Sequence, residues 1–161
     1  MQMRRQERSL TLLDDITAIL DRCLIARLGF VTEDGPYVVP VNYGYVARDG
    51  RITVYVHGAP NGRKLSAIAA DPRCCFETDQ LIGLVEEGPG ACGLSSFYES
   101  VIGFGDARVV TDPDEGQAAL RAIVSRQAPQ LADSAPPPPV GKVTVIAVDL
   151  HTIEGKAHRP T

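Results

Sequence analysis

Between residues 23 and 57, three β-type runs are separated by nothing longer than a tight turn. "CLIARLGFV" (23–31) leads into "TEDGP", "YVVPVNYGYVA" (37–47) leads into "RDG", and "RITVYVH" (51–57) closes the series. Asp34-Gly35 is a strong short-range hairpin signal. Parallel neighbours need a crossover of a dozen or more residues, so connections this short predict antiparallel pairing. The spacing predicts a three-stranded meander. Pro40 interrupts its middle run, and a proline cannot donate to a sheet ladder. That strand therefore has an edge, a bulge or an unpaired stretch at residue 40.

Further strands are predicted at "RCCFETD" (73–79), "SVIGFGDARVV" (100–110) and "KVTVIAVDLHTIEGK" (142–156). Both alternating sets of the last run are largely apolar, as in a strand buried on both faces. Residues 11–22 carry apolar side chains at helical spacing. "NGRKLSAIAA" (61–70) also reads as a helix. So does 112–127, where Asp112-Pro113 supplies an N-cap followed by proline. Residues 80–97 hold Gly83, Gly88, Pro89, Gly90 and Gly93, which predicts a long loop with some strand. Residues 1–9 and the proline-rich 128–141 are expected to be extended or flexible. The count is six or seven mostly antiparallel strands with two or three helices. The expected fold is mainly β, a barrel closed or nearly closed with flanking helices, in a single domain over 1–161.

Net charge is −4 over 161 residues, which does not advertise a nucleic-acid or anionic-membrane partner. No apolar run approaches the roughly 20 residues of a spanning helix. The basic start "MQMRRQERSLTLLDD" lacks the apolar core of a secretory signal, which points to the cytosol. Cys23, Cys74, Cys75 and Cys92 form no C-x-x-C pair, and with His57, His151 and His158 they do not supply zinc spacings. Free thiols and no metal site are expected.

"YVHGAPNGRKLS" (55–66) sets a histidine, a loose turn and two cations at a strand-to-helix junction. A helix start exposes unpaired N–H groups and carries partial positive charge. Arg63 and Lys64 there oppose that dipole unless an anion is present. The residues are consistent with a phosphate site, and equally with solvated helix cations. His57 is either a hydrogen-bonded structural residue or a donor to a ligand. Near Pro40 the interrupted ladder leaves backbone groups for a flat polar edge, and Asn42 adds an amide that donates and accepts.

Three segments, "RLGFVTEDGPYVVPVNYGY", "YVHGAPNGRK" and "SVIGFGDARVVTDPDE", resemble the pyridoxamine 5'-phosphate oxidase-like flavin proteins of the FMN-binding split-barrel fold. Within that family the likeness is to the branch related to 5-nitroimidazole resistance proteins, and it runs from about residue 4 to 156. The resemblance implies a split barrel, a homodimer and FMN at the subunit interface. It implies that Val38, Val39, Pro40, Val41 and Asn42 lie along the isoalloxazine ring, largely through backbone. It implies that His57, Gly58, Arg63 and Lys64 hold the ribityl chain and phosphate, and that Ser100 lies near the phosphate or ring. His57 is the candidate catalytic donor. The implied activity is an FMN-dependent oxidoreductase that takes electrons from a small-molecule reductant to a small aromatic, a nitro compound being one such acceptor. The alternatives are a non-catalytic flavin or haem binder and a deazaflavin-dependent reductase. The chain departs from the pattern at Glu99, where relatives often carry a basic residue. It departs again in the glycine-rich 80–97 and in the proline run 136–139.

Overall fold

The computed structural model describes residues 5–86, 88–132 and 143–160. The proline run 136–139 lies outside the described residues. Eight strands form one antiparallel sheet: β1 (Ser9–Leu10), β2 (Ile25–Thr32), β3 (Gly35–Asn42), β4 (Gly44–Arg48), β5 (Arg51–Gly58), β6 (Arg73–Glu86), β7 (Leu94–Val109) and β8 (Thr144–His158). Three α-helices accompany them: α1 (Leu13–Arg22), α2 (Arg63–Ala70) and α3 (Pro113–Gln127). The strands run in the order β3-β2-β6-β7-β8-β5-β4, with β1 paired to β8 off this path. No ladder joins the two ends, although β3 and β5 approach each other. The expected mainly β fold is therefore a barrel left split.

Apolar alternation explains the inner face. Ala26, Leu28 and Phe30 of β2, Val54 and Val56 of β5, and Phe76 of β6 are buried in one cluster. Ile16, Ile19 and Leu20 of α1 enter the same cluster, as do Ala67 and Ile68 of α2. Since side chains from strands near both ends of the sheet meet there, the sheet must curl, and these two helices pack against the same core. α3 covers a second, smaller cluster on the outside of β5 and β8, built on Tyr55, Val145, Ala147, Leu120 and Ile123. A Cβ at Gly44 would lie 2.5 Å from the backbone of Ala122, so α3 rests directly on the start of β4. Asp112 caps α3, its carboxylate accepting from the Asp114 N–H at 3.0 Å. Residues 145–148 are all buried, as both apolar sets of the last strand predict.

Two expectations are corrected. The stretch 37–47 is not the middle of a meander. β2–β3 and β4–β5 are hairpins, but β3 and β4 do not pair and stand at opposite ends of the path. The chain crosses over at Tyr43, which is fully buried with its hydroxyl 2.9 Å from the carbonyls of Leu20 and Cys23. Nor is 80–97 mainly a loop. β6 and β7 pair from Arg73↔Asp106 to Glu86↔Leu94, with one irregularity between Leu81 and Gly83. The glycines mark only the tip, because ladder pairing needs backbone rather than side chains. No helix among the described residues is long and apolar enough to cross a membrane.

Candidate functional site

β3 is an edge strand, and its two prolines define which way its backbone faces. Pro36 pairs with Val31 and Pro40 with Arg27. Neither can donate, so both occupy non-hydrogen-bonded pairs of the antiparallel ladder. Residues of the same parity, including Val38 and Asn42, then turn their N–H and C=O groups toward the open edge. Their side chains share the outer face, and Val38 is 62% exposed. Val39 and Val41 have the opposite parity: they pair with Leu28 and Ala26 and pack into the core. Of the five residues 38–42, Val38, Pro40 and Asn42 are the ones that face the open edge and the outer surface. An open edge invites strand addition, and the prolines blunt it.

α2 begins at Arg63, two residues inside the expected 61–70, with Gly62 before it at φ 130°. Glycine supplies no side-chain cap, so the helix start keeps its donors and positive potential. The Arg63 guanidinium lies 4.7 Å above the centre of the Tyr37 ring, and its NH2 group stands 3.5 Å from Asp34. Both partners belong to the β2–β3 hairpin, so Arg63 joins the helix start to the edge strand. Lys64 lies beside Gly58, where an added Cβ would come 3.3 Å from the Lys64 Nζ. The space that admits this ammonium is the missing side chain of Gly58. His57 pairs with Val145 and is exposed, on the same side of β5 as Tyr55. Ser100 lies on the outer face of β7 between Asp79 and Lys156. The fold thus joins Arg63 to β3 and Lys64 to Gly58, and places Ser100 on β7, three strands along from the edge strand β3.

Glu99 turns into the barrel and is 3% exposed. Arg22 donates to both of its oxygens at 2.9 Å, Gln80 at 2.8 Å and Arg159 at 2.6 Å. Burial pushes its carboxyl up, but the hydrogen bonds from Arg22, Gln80 and Arg159 outweigh that and hold it below the usual range. An acid at this departure from the resembled pattern is therefore neutralised locally by Arg22 and Arg159.

The outer face of the sheet carries a groove of about 570 Å³. Its shape follows from one cross-strand row, Val38–Gly29–Cys75–Phe104–Thr152. Small Gly29 and Cys75 make the floor, and Val38 and Phe104 stand up on either side. Burial raises the Cys75 thiol, and it pushes Cys74 up to about 12. Neither is a thiolate nucleophile at neutral pH. The sequence reading missed this groove, because no local pattern announces which strands stand side by side. Arg63 and Lys64 do not line it.

An open antiparallel barrel with a proline-blunted edge strand beside a cationic helix start defines a split-barrel protein. Its sequence matches the model of the pyridoxamine 5'-phosphate oxidase family over residues 13–157. The chain belongs to that family. No curated protein matches it. Among solved structures it is similar to a candidate 5-nitroimidazole antibiotic resistance protein from Bacteroides thetaiotaomicron, at 26% identity and TM-score 0.75, over 92% of this chain and 85% of the other. A flavocytochrome from Azotobacter vinelandii shares the fold at 23% identity and TM-score 0.81, over 99% and 73%. A FAD and heme binding protein from Mycobacterium smegmatis shares it at 19% and 0.79, over 96% and 76%.

Proposed function

We propose that this chain is a cytosolic homodimer that binds FMN along β3 and reduces a small aromatic compound, a nitroaromatic being the favoured class. The observation that carries this reading is the outward backbone of Val38, Pro40 and Asn42 on an open edge joined to Arg63. Bound flavin would supply hydride or electron transfer, and the protein would bind and orient it. The outward groups of β3 match the alternating donors and acceptors of an isoalloxazine edge. Arg63 offers a planar fork and Lys64 a compact charge, a donor set suited to a phosphate dianion. Gly58 keeps the Lys64 approach open. His57, exposed at the end of β5, is the candidate hydrogen-bond donor to cofactor or substrate, and Ser100 a contact from the same or the partner subunit.

Family membership supports the reading, as does the 26% identical relative described as a nitroimidazole resistance candidate. Two neighbours of the same fold are described as a flavocytochrome and as a FAD and heme binding protein. The dimer rests on the outer face: Val31, Val38, Ile102 and Phe104 are 59%, 62%, 42% and 58% exposed there. Exposed apolar side chains gathered on one face are characteristic of an interface. The deciding experiment is the absorption spectrum of purified protein before and after adding FMN, with turnover of NADH and NADPH followed on a nitroaromatic acceptor. Flavin bands that survive desalting, with acceptor-dependent oxidation, are expected. Colourless protein that takes up no FMN overturns the reading, and a Soret band replaces it with haem binding.

A further inference from the structure

The outer-face groove ends in a histidine–aspartate pair that neither the core nor the flavin site employs. His151 Nε2 stands 3.2 Å from Asp106 Oδ2, and both residues line the groove. His151 owes its position to an irregularity between β7 and β8. Phe104 pairs with Thr152 and Gly105 with Leu150, so His151 is the extra residue of a bulge. Bulges re-aim side chains, and they recur beside functional sites. This one is built into the sequence: a Cβ at Gly105 would lie 2.1 Å from the Asp149 carbonyl oxygen, so no other residue fits opposite the bulge. The chain thus fits a glycine to a bulge that brings an imidazole to the end of an otherwise apolar trough.

The chemistry of the pair limits what it can recognise. A carboxylate only accepts, so a proton facing Asp106 across the 3.2 Å separation is carried by Nε2. In the neutral ring Nδ1 is then an acceptor. Arg73, at the same end, is engaged by Asp71 at 2.6 Å and stands across the ladder from Asp106. The groove's volume lies in the range of small-molecule sites. Its floor, Gly29 and Cys75, and its walls, Val38 and Phe104, suit a flat ring; the walls also belong to the apolar face of the proposed dimer, so the ring is held where the two copies meet.

We propose that this groove binds a single-ring aromatic whose hydroxyl or ring N–H donates to His151 Nδ1, with Asp106 as the positioning residue that holds the imidazole. The proposal rests on the reductase reading in one respect: Val38 belongs both to the groove and to the edge strand, so the bound ring is the compound to be reduced.

The test is calorimetric titration of the full chain, with and without FMN, using 3-nitrophenol and nitrobenzene as probes. They differ only by the hydroxyl. The wild type is expected to bind 3-nitrophenol about five- to tenfold more tightly, the worth of one partly exposed hydrogen bond. His151→Leu is expected to abolish that preference while leaving nitrobenzene affinity unchanged. His151→Asn, which keeps an acceptor near Nδ1, should restore part of it, and Asp106→Asn should reduce it. Equal binding of the two probes by the wild type, a preference that survives His151→Leu, or no binding of either probe overturns the proposal. A hydroxyl preference lost in His151→Leu, in protein that takes up no FMN, upholds the groove and defeats only the flavin reading. Flavin uptake with no hydroxyl preference does the reverse.

Discussion

Arg63 stacks its guanidinium 4.7 Å from the centre of the Tyr37 ring, so the first residue of α2 is held against the edge strand β3. One side chain thereby links the two parts of the proposed cofactor site. If its fork also meets a phosphate, removing it weakens FMN binding and spares riboflavin, which has no phosphate. Arg63→Ala and Lys64→Ala are each expected to raise the Kd for FMN about 10- to 100-fold, the range of a charge-assisted hydrogen bond. Riboflavin affinity should change far less. Fluorescence quenching titrations with both flavins measure the contrast, and an equal loss for both would remove the phosphate from the site.

His57 is exposed at the end of β5, and its deletion should leave the core intact. His57→Ala is expected to lower turnover more than it lowers flavin retention. Rate per bound flavin, measured after desalting, separates the cases. A variant that loses FMN but keeps its rate per flavin makes His57 a binding residue only.

Acid should destabilise the fold through its paired carboxylates. Burial raises the Glu99 carboxyl, yet Arg22, Gln80 and Arg159 bring it below the ordinary range. The Arg108 hydrogen bond lowers Glu115. Asp149 is raised by burial but lowered overall by its bonds from Arg108 and Thr53. A carboxyl lowered in the folded state contributes stability above its unfolded pKa, about 4, and loses it as pH falls through the folded value. Melting temperature should therefore drop steeply below about pH 4. Glu99→Gln is expected to lose about 1–2 kcal/mol at neutral pH, discounted because both arginines are nearly half exposed, and to flatten the acid limb. Thermal melts across pH, wild type against variant, check both points.

The outer face predicts assembly. Phe104 is 58% exposed at the middle of the patch. Phe104→Asp would bury a charge in the proposed interface and should shift the protein from twice the chain mass to the chain mass in light scattering. A wild type that is monomeric at micromolar concentration would defeat the dimer.

Cys74 is buried, with its thiol pushed up to about 12. It should resist iodoacetamide at neutral pH until the protein is unfolded. Mass-spectrometric mapping of the labelled site, folded against denatured, measures this.

Much of the fold was legible residue by residue. Tight turns dictated antiparallel pairing, apolar periodicity marked the helix over 11–22, Asp112-Pro113 marked the start of another, and Pro40 announced an edge, a bulge or an unpaired stretch because a proline nitrogen has nothing to donate. Residues 145–148 declared a strand buried on both faces. These are local properties, set by which way a side chain points and which backbone groups can bond. The sequence also set Arg63 and Lys64 at a helix start. Lateral order is different in kind. Nothing within 37–47 says that β3 and β4 end up at opposite ends of the sheet, since alternation encodes the face a residue occupies and not its neighbour. That order depends on the whole apolar face, which shares one core with α1 and α2. Only in that order did Val38, Gly29, Cys75 and Phe104 fall into one row, and only the mismatch between β7 and β8 carried His151 to Asp106.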